Sequence, residues 1–314
     1  MKRLTAESLR GIWAAVPVSW CKDYTLDEES FRSNIRRLCT ANVHGVYTTG
    51  STGEFYALDW PEFRQLVDIM AEEMSGCAIA FQIGCNGDDT RDMLRQMEYA
   101  AERGAAGVQF VLPYWMVLTD QEVTHFFGEI AAAFPELPLV HYNNPGAKRF
   151  LIGEDYRRLL DVAPNLIGVK FSAAGSHFGE LQDAVQITPS LSYFVVEDLL
   201  VSAMQLGARG SYSSVVLANP RFMLEMFAAA EAGKWAEALK MQLYLARFRR
   251  ELEGAVTSLG LGGIDPVYDK GFAVASGFLG GHQRTRPPYI GWTDDGLAQV
   301  RAWLMHNYPD FIAE

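Results

Sequence analysis

Eight short runs rich in β-branched, aromatic and glycine residues alternate along this chain with amphipathic helical stretches, and that alternation limits the possible folds more than any other feature. The candidate strands are Trp13–Val18, Gly45–Thr49, Ala78–Ile83, Gly107–Leu112, Leu139–Tyr142, Ile167–Lys170, Tyr193–Val196 and Gly210–Ser213. Helical periodicity follows each one, over Asp27–Ala41, Pro61–Met74, Asp88–Arg103, Asp120–Phe134, Gly153–Val162, Phe178–Thr188, Leu199–Leu206 and Pro220–Ala232. Start signals such as Thr25-Leu26-Asp27-Glu28 and stop signals such as Gly104 and Gly207 punctuate the helices. Strand–helix pairs repeated over roughly 230 residues predict an α/β fold of the (β/α)8 TIM-barrel type, which uses about 250. An open doubly wound sheet would carry a glycine-rich turn after its first strand. Here that strand runs into Pro17-Val18-Ser19-Trp20.

Beyond residue 232 the pattern becomes mainly helical, over Trp235–Leu252, Asp265–Gly277 and Asp294–His306. The expected organisation is a barrel over 1–232 and a C-terminal helical extension over 233–314 packed on it. Of the 314 residues 49% are apolar and 21% charged, which is the balance of a globular protein with a sizeable core. The formal charge of −11 argues against nucleic acid or an anionic membrane as partner, since both require a basic surface. Cys21, Cys39, Cys77 and Cys85 form no CxxC pair and read as reduced thiols of a cytoplasmic protein. No apolar run approaches the ~20 residues of a membrane span. The histidines form no close ligand set, so no metal is expected.

Two strand ends carry chemistry. Leu166-Ile167-Gly168-Val169-Lys170 is an apolar run that closes on a lysine. Burying an ammonium without a partner is strongly unfavourable, and desolvation favours the neutral amine, which attacks a ketone to form a Schiff base. The bland alternative is a lysine snorkelling at a strand end. The preceding run, Pro138-Leu139-Val140-His141-Tyr142, closes on a tyrosine followed by Asn143-Asn144-Pro145; its bland alternative is a core tyrosine with a satisfied hydroxyl. His141, by strand alternation, faces the other way and reads as a packed histidine. Strand two leads into Thr49-Gly50-Ser51-Thr52-Gly53-Glu54, whose hydroxyls and N–H groups suit a carboxylate, although such loops are often only turns.

Together, these three motifs resemble the dihydrodipicolinate synthase / N-acetylneuraminate lyase family over about residues 9 to 290. The resemblance implies a (β/α)8 class I lyase that forms a lysine imine with pyruvate or another 2-oxo acid and needs no cofactor besides that imine. By the same resemblance Lys170 is the Schiff-base lysine, Tyr142 the proton shuttle, and Ser51 and Thr52 the pair that binds the 2-oxo acid carboxylate. Ser51 counts with Lys170 and Tyr142 as catalytic, and Ser172, in the lysine motif, as substrate-binding. The family also implies a homo-oligomer, a dimer or a tetramer.

Departures from the pattern point to the substrate. Synthases of this family carry, five residues beyond the motif tyrosine, an arginine that binds the second substrate's carboxylate; here Ala147 stands there, followed by Lys148 and Arg149. They also carry a relay tyrosine in Pro-Tyr-Tyr, where this chain has Pro113-Tyr114-Trp115. The Pro-x-Trp run, Lys148, Glu197-Asp198 after strand seven and the late Arg286-Pro287-Pro288-Tyr289 are similar to aromatic hydratase-aldolases. Glu197, Asp198 and Ser214 also occupy places that resemble the hydroxyl-binding groups of sugar-acid lyases. Trp115, Tyr114, Tyr212, Glu197, Asp198 and Ser214 are therefore the candidates for the second-substrate pocket. The expected activity is a pyruvate-dependent aldolase or hydratase-aldolase that joins or cleaves pyruvate and an aldehyde. A sugar-acid aldolase or dehydratase is the alternative, the lysine-pathway synthase is less favoured, and a non-catalytic 2-oxo acid binding protein comes last.

Overall fold

The structure is a computed structural model and describes residues 3–172 and 176–313. Its strands are β1 (Gly11–Ala15), β2 (Gly45–Thr48), β3 (Ala80–Gly84), β4 (Gly107–Phe110), β5 (Leu139–Asn143), β6 (Leu166–Phe171), β7 (Ser192–Val195) and β8 (Gly210–Ser213). Their order follows the chain around a closed barrel, with neighbours paired in parallel. The helices between and after them are α1 (Glu28–Thr40), α2 (Trp60–Met74), α3 (Thr90–Glu102), α4 (Asp120–Ala133), α5 (Gly153–Leu159), α6 (Phe178–Ile187), α7 (Leu200–Met204) and α8 (Pro220–Glu231). The C-terminal helices are α9 (Trp235–Ser258), α10 (Asp265–Ser276) and α11 (Asp294–Asn307). The (β/α)8 expectation is met. β1 stops short of the expected Val18 because Pro17 has no N–H to continue the ladder; the last bond runs from the Val16 N–H to the Tyr47 carbonyl at 2.8 Å.

The β5–β6 ladder positions the chemistry. It begins with Leu139 opposite Leu166, then shifts register, so that Val140 faces Gly168 and Tyr142 faces Lys170. Ile167 is the skipped residue. Without the bulge Tyr142 would fall opposite Val169, on a different phase of the pleat. Gly168 allows the strand to pass here: a Cβ at this position would lie 2.7 Å from Leu9 and 2.8 Å from the Ser192 carbonyl.

The chain divides into two compact units, Met1–Gly11 with Ala80–Tyr212, and Ile12–Ile79 with Ser213–Glu314. In the first, Phe110 and Phe127 pack edge-on at 5.2 Å, and His141 and Tyr156 join them in the layer between strand and helix. A capping box of Thr119 and Glu122 starts α4 in this unit. In the second, which holds α9 to α11, Phe248 stacks on Phe311 at 3.9 Å. Arg32 and Arg36 of α1 pair with Glu73 of α2. Cys39 and Cys77, 38 residues apart, form a disulfide with a Cα separation of 6.0 Å. This corrects the reading of four reduced thiols, because packing α1 on α2 brings the end of α1 beside the turn that follows α2, two places that the sequence keeps apart. Cys21 and Cys85 are the free thiols. Among the described residues, no helix is long and apolar enough to cross a membrane.

Candidate active site

In the first unit Lys170 and Tyr142 meet across β5 and β6, with the lysine Nζ 3.8 Å from the centroid of the tyrosine ring. The Tyr212 ring lies 5.6 Å from the same nitrogen and packs on Phe194 at 4.7 Å. A cation on Lys170 therefore sits against aromatic faces, whose quadrupoles favour positive charge. Phe194 is Lys170's register partner on β7, so one pleat phase supplies tyrosine, lysine and phenylalanine from three consecutive strands. Tyr212 donates its hydroxyl to Gln82 Oε1 of β3 at 2.6 Å, inside the protein. Gln82 was not legible as a site residue. Its one signal is a polar residue in the otherwise apolar Phe81-Gln82-Ile83.

The segment after β5 is pinned by Asn143. Its side-chain amide donates to the Leu151 carbonyl at 2.8 Å and its Oδ1 accepts from the Leu151 N–H at 3.0 Å. Ser172 donates its hydroxyl to the Asn143 carbonyl at 3.1 Å, so it braces the end of β6 against that of β5. Ala147, which stands where the synthases carry an arginine, is buried. Lys148 donates to the Trp115 carbonyl at 2.8 Å and lies 5.7 Å from the indole. Arg149 bonds the Leu118 carbonyl and pairs with Asp120. Both cations thus hold the loop between β4 and α4. That loop exposes Trp115, Met116 and Val117, the indole at 73%, and Tyr114 before them is half-buried. Glu197 is buried and Asp198 half-buried in the 3-10 turn Glu197–Leu199 that follows β7.

Ser51, Thr52 and Ser214 belong to the second unit. Ser214 precedes the 3-10 turn Val215–Leu217 after β8. Thr52 is buried and donates its hydroxyl to Asp269 of α10 at 2.6 Å. Glu54, with no exposed surface, takes an ion pair from Lys270, the Trp20 indole N–H at 3.1 Å and the Arg286 backbone N–H at 2.9 Å. Burial lowers the Lys270 pKa, and the Glu54 carboxylate opposes that shift. The Arg286 guanidinium lies 3.8 Å over the Trp20 ring and pairs with Glu62, which holds the Glu62 carboxyl below its ordinary range. No motif in the sequence marked Asp269 or Lys270, which lie more than 200 positions from the loop they contact.

A strand-end lysine beside a tyrosine ring in a parallel (β/α)8 barrel is the arrangement of a class I lyase of the aldolase type, an enzyme that makes or breaks a carbon–carbon or carbon–oxygen bond. The chain belongs to the dihydrodipicolinate synthetase family, whose model matches residues 8–259. Among curated relatives it is 31% identical over 228 residues to a 4-hydroxy-tetrahydrodipicolinate synthase of Methanospirillum hungatei, covering 71% of this chain and 77% of that one. It is 25% identical over 250 residues to a trans-O-hydroxybenzylidenepyruvate hydratase-aldolase of Pseudomonas aeruginosa, covering 75% and 73%. Among solved structures, YagE of E. coli K12 in complex with pyruvate shares the fold, with a TM-score of 0.85 at 21% identity over 95% of this chain and 98% of that one.

Proposed function

We propose that the protein is a pyruvate-dependent aldolase or hydratase-aldolase in which Lys170 forms the imine. The observation that carries this reading is the Lys170 nitrogen 3.8 Å from the Tyr142 ring centroid, at the ends of two paired strands. Attack of the neutral amine on the ketone of a 2-oxo acid gives a carbinolamine, and its hydroxyl, protonated by Tyr142, leaves as water to give a protonated imine. That cation accepts the electron pair released when the bond between the pyruvyl C3 and the aldehyde carbon breaks. Aromatic faces beside it favour the positive charge on the imine over the neutral carbinolamine. Tyr142 moves the proton between the substrate oxygen and the carbinolamine. Ser51 and the neighbouring loop take the carboxylate, and Trp115 and Tyr114 offer an aromatic wall to a flat aldehyde, in keeping with the relatives named hydratase-aldolase.

Two features weigh on the substrate. Ala147 gives no charged group for a second carboxylate, and Lys148 and Arg149 are held by the loop after β4, which disfavours the synthase reading despite the relative that bears that name. Buried Glu197 after β7 favours, as the second reading, a sugar-acid aldolase, because carboxylates accept hydrogen bonds from a polyol. The test is to incubate the protein with pyruvate and borohydride and read the mass. A pyruvyl adduct on Lys170, lost in Lys170→Ala, is expected; an adduct mapped to another lysine, or none, overturns the reading.

A further inference from the structure

We propose that α10, through the adjacent residues Asp269 and Lys270, is the positioning element of the loop 49–54, and that the Thr52 hydroxyl serves this anchoring and not the substrate. Ser51 and the loop N–H groups are then the donors to the carboxylate. The inference rests on the reading above that this loop binds the 2-oxo acid.

Two backbone bonds close the loop, from the Glu54 N–H to the Ser51 carbonyl at 3.0 Å and from the Phe55 N–H to the Gly50 carbonyl at 3.3 Å, but its backbone is strained. Thr49 and Glu54 both adopt left-handed backbone conformations, with φ of 57° and 50°. Gly53 between them is obligatory, since a Cβ there would lie 2.4 Å from the Thr49 nitrogen. Non-glycine residues in this region each store strain and persist only where the surroundings over-determine them. The surroundings here are α10 and its neighbours. Lys270 meets Glu54 in a buried ion pair, and the Trp20 indole, the Arg286 N–H and the Tyr56 hydroxyl also donate to that carboxylate. One residue earlier on the helix, Asp269 receives the Thr52 hydroxyl at 2.6 Å. Thr52 is 4% and Asp269 8% exposed, so water competes little for this bond. A threonine hydroxyl has one proton. Given to Asp269, it is not available to a substrate carboxylate, and an anion brought to the Thr52 oxygen would meet a lone pair.

The half-saturation for pyruvate in borohydride trapping reads this contact. Asp269→Ala and Thr52→Val each raise it about tenfold, as expected for loss of a charge-assisted bond that orients the loop. The double variant raises it no further, and Asp269→Asn, which keeps an acceptor for the hydroxyl, stays within about threefold of the native value. In Asp269→Ala trapping at saturating pyruvate keeps its rate. If Thr52→Val raises the half-saturation while Asp269→Ala leaves it unchanged, the hydroxyl meets the substrate and the proposal is wrong. It is equally wrong if neither variant has an effect or if the two effects add. Should Asp269→Ala not fold, Asp269→Ser, too short to reach the threonine, takes its place. A native chain that traps no pyruvate removes the functional reading alone. The anchoring is then read from hydrogen exchange, where the amides of residues 49–54 exchange about tenfold faster in Asp269→Ala, and equal rates overturn it.

Discussion

His141 and Tyr142 are neighbours on β5 with opposite fates, because successive side chains leave a strand on opposite faces. Tyr142 faces the lysine. His141 turns outward into the layer below α4 and α5, where its Nδ1 lies 2.9 Å from the Tyr156 hydroxyl. Complete burial pushes the His141 pKa down to about 3. The folded imidazole therefore stays neutral while the unfolded one takes up a proton below about pH 6.5. Its contribution to stability is whole above that value and is lost as the pH falls toward 3, at roughly 1.4 kcal/mol per pH unit. Urea midpoints measured at pH 7 and pH 5 should fall further in the native chain than in His141→Gln; equal falls would show that another group sets the acid limit. For Tyr142 the expectation is kinetic. Tyr142→Phe keeps the ring beside Lys170 but removes the transferable proton, so turnover should drop roughly 10²- to 10⁴-fold with the fold intact. A turnover within tenfold of native would assign the proton to another group. Both residues were legible, the tyrosine from its strand end and the histidine from alternation. Gln82 was not, because a single glutamine in an apolar run says nothing about which hydroxyl it meets.

At the scale of elements, the loops depend on partners distant in sequence. Lys270→Met would leave the Glu54 carboxylate buried without its cation, which should cost about 3–5 kcal/mol in unfolding free energy. Pairing it with Glu54→Gln should recover part of the loss, and a thermal or urea melt of the three variants checks this. The loop after β4 behaves differently. Trp115 is exposed and held by Lys148 through backbone and ring. Trp115→Ala should therefore impair cleavage of a long aromatic substrate while leaving pyruvate trapping on Lys170 nearly unchanged. If trapping vanished in a folded variant, the indole would belong to the pyruvate subsite. No local pattern marks Lys148 and Arg149 as turned toward this loop, since the choice between a substrate and a carbonyl acceptor is made by the path of the backbone through Pro145–Ala147.

For the whole molecule the discriminating measurement is a substrate panel. With Ala147 buried where a bidentate guanidinium would sit, the carboxylate of aspartate semialdehyde should bind weaker by about 1.5–3 kcal/mol than in a synthase, roughly 10- to 150-fold. Condensation of pyruvate with that aldehyde at a rate typical of the family would refute this, and cleavage of a benzylidenepyruvate is the expected activity. The sequence by itself determined the barrel, because eight buried parallel strands separated by amphipathic helices leave a periodicity that is local and repeats. It also singled out the lysine and the tyrosine as candidates, because a polar residue closing an apolar strand is costly enough to stand out. The register that sets Tyr142 opposite Lys170 was decided only in the tertiary structure, by a bulge at Ile167 and a close passage at Gly168. The same holds for the Cys39–Cys77 bridge and for the grip of Asp269 and Lys270 on Thr52 and Glu54. These are contacts between residues 38 to more than 200 positions apart, and no local pattern records a partner that only the folded path of the chain brings within reach.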